Sequence, residues 1–343
     1  MPTYNLALIG YGNVGRALAR LLRAKRDHLH KAYAIEFRVT AIATGQHGLL
    51  LRPQGIDLEV AARLTEGGGN LAELAAGPQP DTVEALLRTS QAQVMFENTP
   101  VDYQTGQPGL DHIRLALKLG MHAVTANKGP VVHGHAELTQ LAAANRVKFL
   151  FESTVMDGAP LFALWRTALP AARLHRFRGV LNSTTNLVLG LVETGATFAE
   201  AIGRAQAMGI AETDPSGDIE GWDAAVKVAA LVTVLMGHPL TPDQVRRQGI
   251  DGLSESQIRT AHRAGNRWKL ICQAEDRYGS ILAAVGPQLL APDDPLYSVE
   301  GTTSAITFET DVLGALTLSE QDPSPDTTAY GLLADFVNAV RGG

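Results

Sequence analysis

Apolar positions along the first half of the chain follow two different spacings. Tyr4-Asn5-Leu6-Ala7-Leu8-Ile9 is a short, nearly continuous apolar run, the pattern of a buried strand. Over 14–25 the apolar positions are Val14, Ala17, Leu18, Leu21 and Leu22, which is helical spacing. Strand patterns follow over 37–43, 94–96, 122–125 and 147–151, and helical ones over 110–119 and 136–144. Strand alternating with helix predicts a parallel, doubly wound sheet.

The second half changes rhythm. Helices are expected over 159–168, 187–193, 198–208, 223–236 and 327–340. Strands are expected over 177–181, and as antiparallel strands over 280–285, 304–309 and 315–318. This is an α+β pattern, with the boundary near residues 152–158. The expected division is 1–151, 152–318 and 319–343, the last carrying a helix that returns to the first domain. Leu332, Leu333, Phe336 and Val340 lie on one stripe of that helix, which suits docking.

Composition narrows the possible functions. With 45% apolar residues and a formal charge of only −6, the chain has a core and is not disordered. The acidic balance argues against nucleic acid as a partner. Cys272 is the one cysteine, so a disulfide framework and a cysteine zinc site are both excluded. The first ten residues lack the cationic start of a signal peptide. The longest largely apolar run, 228–237, falls short of the ~20 residues a membrane span needs. A cytoplasmic protein without a membrane partner is expected.

Gly10-Tyr11-Gly12-Asn13-Val14-Gly15 sits between the first strand and the first helix. In that setting Gly10 permits the tight turn, Gly12 lets backbone approach a pyrophosphate, and Gly15 lets helix pack on strand. The helix N-terminus then faces the phosphates. The motif predicts a Rossmann-type dinucleotide site. The position after the second strand, where an acid usually binds the ribose of NAD, is Thr44. Without a carboxylate to repel a 2′-phosphate, and with His47 and Arg52 nearby, the choice between NAD and NADP tilts toward NADP. Arg52 reads equally well as a solvated loop residue.

The densest chemistry lies over 205–227. Glu212, Asp214, Asp218, Glu220 and Asp223 crowd a loop containing Gly and Pro, and an apolar helix follows. Asp223 and Lys227 are four residues apart and share a helix face. A lysine at the mouth of a buried helix needs a partner, which Asp223 can be. An ordinary surface pair has the same spacing.

The order Ala205, Gly209, Asp214, Pro215, Asp218, Gly221, Asp223 and Lys227 closely resembles the signature of the homoserine dehydrogenase family. Thr99-Pro100-Val101, Val124-Thr125-Ala126-Asn127-Lys128-Gly129-Pro130 and Leu181-Asn182-Ser183-Thr184-Thr185-Asn186 resemble further family segments, with Ser183 in place of a glycine. The resemblance runs from residue 5 to the last helix and points to the short form without a regulatory ACT domain. It implies an α/β fold in which the Rossmann-type parallel sheet is followed by a C-terminal α+β catalytic and dimerisation domain. It implies reversible NAD(P)-dependent hydride transfer between L-homoserine and L-aspartate 4-semialdehyde, in threonine, methionine and isoleucine biosynthesis.

The resemblance also implies roles. Lys227 or Lys128 would donate the proton, and Asp223 would orient Lys227. Glu212 would hold the substrate ammonium, with Thr184 and Asp218 completing the amino-acid site. Gly10, Gly12, Asn13, Val14, Gly15, Thr44, Thr99 and Lys128 would hold the coenzyme. A monovalent cation, sodium or potassium, would sit among Glu152, Val155, Asp157 and Ala159. The assembly implied is a homodimer. A hinge with a capping acid is the plain alternative for 151–159.

Two other readings compete. Aspartate-semialdehyde dehydrogenase needs a cysteine nucleophile with a histidine base, and Cys272 reads as a small buried hydrophobe. A dinucleotide-sensing module would not need Glu212, Asp223 and Lys227. His28 and His30, like His133 and His135, read as loop residues rather than metal ligands.

Overall fold

A computed structural model describes residues 2–341 and divides the chain into two units. One unit runs to Pro160 and resumes at Ser324; the other is Leu161–Pro323.

In the first unit β1 (Thr3–Ile9), β2 (Glu36–Ala43), β3 (Leu49–Leu51), β4 (Val94–Glu97), β5 (His122–Thr125) and β6 (Phe149–Leu150) share one sheet. Its order is β3-β2-β1-β4-β5-β6. Pairing is parallel throughout except for β3, which runs antiparallel along β2. Strand order turns back at β1, so the ends of β1 and β4 form the switch point where such sheets bind ligands. The helices are α1 (Asn13–Tyr33), α2 (Leu58–Glu66), α3 (Val83–Thr89), α4 (Gly109–Lys118) and α5 (Lys128–Ala144). Helix α5 begins eight residues before the apolar pattern suggests, at 128 rather than 136. The cause is local: Asn127 caps it by accepting from the Gly129 N–H at 3.0 Å.

The terminal helix (Pro325–Val340) packs in this unit against α1. Phe336 is fully buried and meets the rings of Tyr4, Phe37 and Phe96 edge-on, at 6.2, 6.4 and 6.1 Å. The boundary falls at Pro160 rather than at 151 because this helix also holds the intervening segment. The Glu152 N–H donates to Asp335 Oδ2 at 2.7 Å, and Ser153 Oγ donates to the Thr328 carbonyl at 2.7 Å.

The second unit contains α6 (Leu161–Ala163), β7 (Leu174–Val180), α7 (Ser183–Glu193), α8 (Phe198–Ala207), α9 (Ser216–Ile219), α10 (Trp222–Leu231), β8 (Arg246–Arg247), α11 (Glu255–Arg263) and β9 (Arg267–Arg277). β10 (Ser280–Leu290), β11 (Ser304–Thr310) and β12 (Gly314–Glu320) complete it. The sheet order is β12-β11-β7-β9-β10-β8, antiparallel except where β8 joins β10. The long strand β9 has no counterpart in the apolar pattern. Its buried stretch is only 269–272 plus Ala274, and both ends are charged, so neither period is sustained. Helix α10 buries Ala224, Ala225, Val226 and all of 228–231. Among the described residues no helix is long and apolar enough to cross a membrane.

Candidate functional site

The glycine turn is built to admit an anion. Gly10 has φ +91°, and a Cβ there would lie 2.4 Å from the Asn98 carbonyl, so the position requires glycine. A Cβ on Gly15 would strike the Gly10 carbonyl at 2.4 Å, which is the close packing expected of that position. Gly12 has open space on its side and is the N-cap of α1, with no side chain capping the helix. No acid occupies the first turn of α1, so none of the helix's own side chains there sets negative charge against its free N–H groups. Asn13 presents its amide oxygen to Arg16 at 2.9 Å. Val14 packs against the core of this unit.

Beside this turn stands a residue that the motif did not identify. Both polar side-chain atoms of Asn98 are buried without a hydrogen-bond partner. Its backbone carbonyl is what Gly10 must clear, so the residue lies next to the turn. A buried amide left open in this way fits a ligand that completes it. The signal available in the sequence was its place at the end of β4, across from the glycine turn.

Thr99 follows, fixed from below by Glu97, a carboxylate with no exposure at all. Glu97 accepts from the Thr99 N–H at 3.1 Å and from its hydroxyl. Asn127 Nδ2 donates to the Thr99 carbonyl at 3.2 Å, tying it to the start of α5, where Lys128 is half-buried. Just after β2, Thr44 closes its own turn. Its N–H donates to the Gly48 carbonyl at 3.0 Å, and its hydroxyl accepts from the His47 N–H at 2.5 Å. The His47 ring is set on the Gly69 carbonyl at 2.9 Å, and Arg52 reaches the Leu74 carbonyl at 3.4 Å.

The second unit brings four of the expected residues together. Lys227 Nζ donates to the Leu181 carbonyl at 2.7 Å and pairs with Asp223 Oδ2 at 2.9 Å. The two side chains are only 15% and 13% exposed, so this is not the surface pair that the spacing also allowed. Asp218 lies beside Asp223, and Thr184 hydrogen-bonds to Asp218. Burial and then the Asp223 charge raise the Asp218 carboxyl above the ordinary carboxylate range; Asn182, Thr184 and Lys227 work against this. Glu212 is exposed. It stands two residues beyond Ile210, whose carbonyl accepts from the Thr184 hydroxyl at 3.3 Å. The unexpected member is Asn182, which caps α7 and donates to both acids.

Glu152 and Val155 are buried, and Asp157, at φ 37°, accepts from the Thr327 hydroxyl at 3.1 Å. The Ala159 N–H donates to the Met156 carbonyl at 2.8 Å. Among the described residues no group of three or more His, Cys, Asp or Glu could hold a metal ion. Burial pushes the Cys272 thiol up to about 12, so it is no nucleophile.

Comparison with known proteins completes these findings. The model of the family described as "Homoserine dehydrogenase" matches residues 160–337, and that of "Homoserine dehydrogenase, NAD binding domain" matches 10–152. An NAD(+)-dependent homoserine dehydrogenase of Pseudomonas canavaninivorans is 38% identical over 98% of this chain and 96% of its own length. The homoserine dehydrogenase of Methanocaldococcus jannaschii is 33% identical over 97% and 98%. Among solved structures, a hyperthermophilic archaeal homoserine dehydrogenase in complex with NADPH superposes with a TM-score of 0.84 at 28% identity, covering 100% and 99% of the two chains.

Proposed function

The chain belongs to the homoserine dehydrogenase family, and on that premise we propose how its own residues carry the reaction. The enzyme interconverts L-homoserine and L-aspartate 4-semialdehyde with NAD(P). A bound nicotinamide supplies or accepts the hydride. The residues must bind the amino acid, orient it and move one proton to or from its terminal oxygen.

The observation that carries the reading is Lys227 held between the Leu181 carbonyl and Asp223. Two acceptors fix the ammonium, and a third N–H remains to address the substrate oxygen. Lys227 gives that oxygen a proton during reduction and takes it back during oxidation; Asp223 keeps the nitrogen aimed. Lys128 is the other candidate for this proton. Thr184 and Asp218 hold the amino-acid end, and Glu212 pairs with its ammonium.

The coenzyme rests on Gly10, Gly12, Asn13, Val14 and Gly15, with Thr99 and the Asn98 amide further along. The open N-terminus of α1 and the unpaired amide support this assignment. No carboxylate follows β2, which leaves room for NADP. Thr44, His47 and Arg52 are engaged locally, so the preference for NADP over NAD is slight. The Glu152 carboxylate and the carbonyls of Val155, Asp157 and Ala159 would offer an oxygen-only set, which suits sodium or potassium. A homodimer through the second unit is supported by exposed Leu282, Val312 and Leu313. Light scattering near twice 36.5 kDa supports the dimer, and a fully active monomer refutes it.

Oxidation of NADPH and NADH by aspartate semialdehyde measures the coenzyme preference, and the same assay in tetramethylammonium against potassium salt measures the cation dependence. The substrate role of Glu212 is tested by Glu212→Gln. A charged hydrogen bond of about 1.5–3 kcal/mol predicts a KM for homoserine raised roughly 10- to 100-fold, with the KM for coenzyme nearly unchanged. Equal weakening of both ligands contradicts the assignment.

A further inference from the structure

We propose that Asn182 is a positioning residue, which together with the Leu181 carbonyl grips both members of the Lys227–Asp223 pair and sets Asp218 beside them. The inference rests on the reading of that pair as the reacting one. Asn182 is 4% exposed. Its Nδ2 donates to Asp218 Oδ1 at 2.7 Å and to Asp223 Oδ2 at 3.0 Å. An amide nitrogen has two hydrogens, and each goes to one acid. Its Oδ1 accepts from the Thr185 N–H at 2.8 Å and from the Thr185 hydroxyl at 2.9 Å. Turning the amide over would face oxygen against two carboxylates and nitrogen against an N–H, so the network permits one orientation.

The consequence for Lys227 follows from shared atoms. Asp223 Oδ2 is the oxygen that accepts from both Asn182 and Lys227. Lys227 is in turn held by the carbonyl of Leu181, the residue just before Asn182. Two consecutive residues therefore fix the cation by backbone and its counter-ion by side chain. Without the amide, the hydrogen bond that holds the Asp223 carboxylate toward Lys227 and bridges it to Asp218 is lost. Asp223, Lys227, Thr184 and Asn182 are the groups that face Asp218. Of these, Asn182 and Thr184 hold its charged form by hydrogen bonds, so loss of the amide moves its titration to higher pH.

Two substitutions separate this role from the cap of α7. Asn182→Asp and Asn182→Ser both keep a side-chain oxygen for the Thr185 N–H and both remove the amide nitrogen; the single hydroxyl proton of serine cannot replace both amide donors. Expected for Asn182→Ser is a folded enzyme with an unchanged coenzyme Kd; Asn182→Asp, which adds a third carboxylate to a buried cluster, should keep the Kd and lower the thermal midpoint. Misplacement of the acid pair should lower kcat about 10- to 100-fold. The acid limb of kcat/KM for homoserine should move to higher pH, which a purely structural role would not produce. Should Asn182→Asp fail to fold, with its three adjacent carboxylates, Asn182→Ser alone decides. A folded Asn182→Ser enzyme with kcat within twofold and an unmoved acid limb overturns the proposal. Full activity in Lys227→Ala would instead overturn the assignment of the reacting pair, so the two failures are distinguishable.

Discussion

Asp218 is held ionisable where ionisation is disfavoured, by burial and by Asp223 alongside. Its folded pKa is raised, so its protonated form is the one the fold favours. This group stabilises the fold fully only below its unfolded pKa, and that contribution is lost as pH rises through the folded value. Asp218→Asn should therefore raise the thermal midpoint at neutral pH, by roughly 2 °C or more, and the gain should vanish in acid where the native carboxyl is already neutral. Activity should fall in the same variant. A midpoint unchanged or lowered at pH 7 by calorimetry contradicts the electrostatic account. At this scale the sequence was readable where chemistry is local. The four-residue step from Asp223 to Lys227 and the glycine spacing both carry their geometry with them. Asn98 and Asn182 were missed because their importance comes from residues distant in the chain: Gly10 for one, Asp218 and Asp223 for the other.

At the scale of elements, caps corrected the apolar pattern. Helix α7 starts at Ser183 rather than 187, and α5 at Lys128 rather than 136, in each case directly after a capping asparagine. In each unit the cap fixes both the helix start and the candidate residue of its first turn, Lys128 in one and Thr184 in the other. Helix α2 had its signal in Asp57, which caps it through the Glu59 and Val60 N–H groups, but the run is short. Helix α11 buries only Ile258 in full, too little for a period to show. The terminal helix was visible in its stripe of Leu332, Leu333 and Phe336. Phe336 has three aromatic neighbours on β1, β2 and β4, and of these strands β1 leads into the glycine turn and β4 into Asn98. Phe336→Ala should cost about 3–5 kcal/mol of stability and weaken coenzyme binding through those strand ends. A loss under 1 kcal/mol in chemical denaturation would show that the helix merely covers the sheet.

Over the whole molecule, the chain builds most of one unit, completes the other, and returns at Ser324 to finish the first. The alternation of strand and helix revealed the first sheet because each parallel strand needs a crossover. The second sheet was only partly visible. Its long strand β9 pairs with β7, about ninety residues earlier, and with β10, and no local pattern encodes the distant partner. The first unit supplies an open helix N-terminus and an unpaired amide; the second supplies a buried lysine between two acceptors. In the proposed function coenzyme binding and proton transfer fall to separate units, so one substitution should disable the second task alone. The most direct measurement is turnover of Lys227→Ala alongside its coenzyme Kd. The account predicts kcat lower by ~10²–10⁴-fold with the Kd for NADPH and NADH within twofold of the wild type. Near wild-type turnover in a folded Lys227→Ala enzyme would contradict it and move the proton to Lys128 or to water.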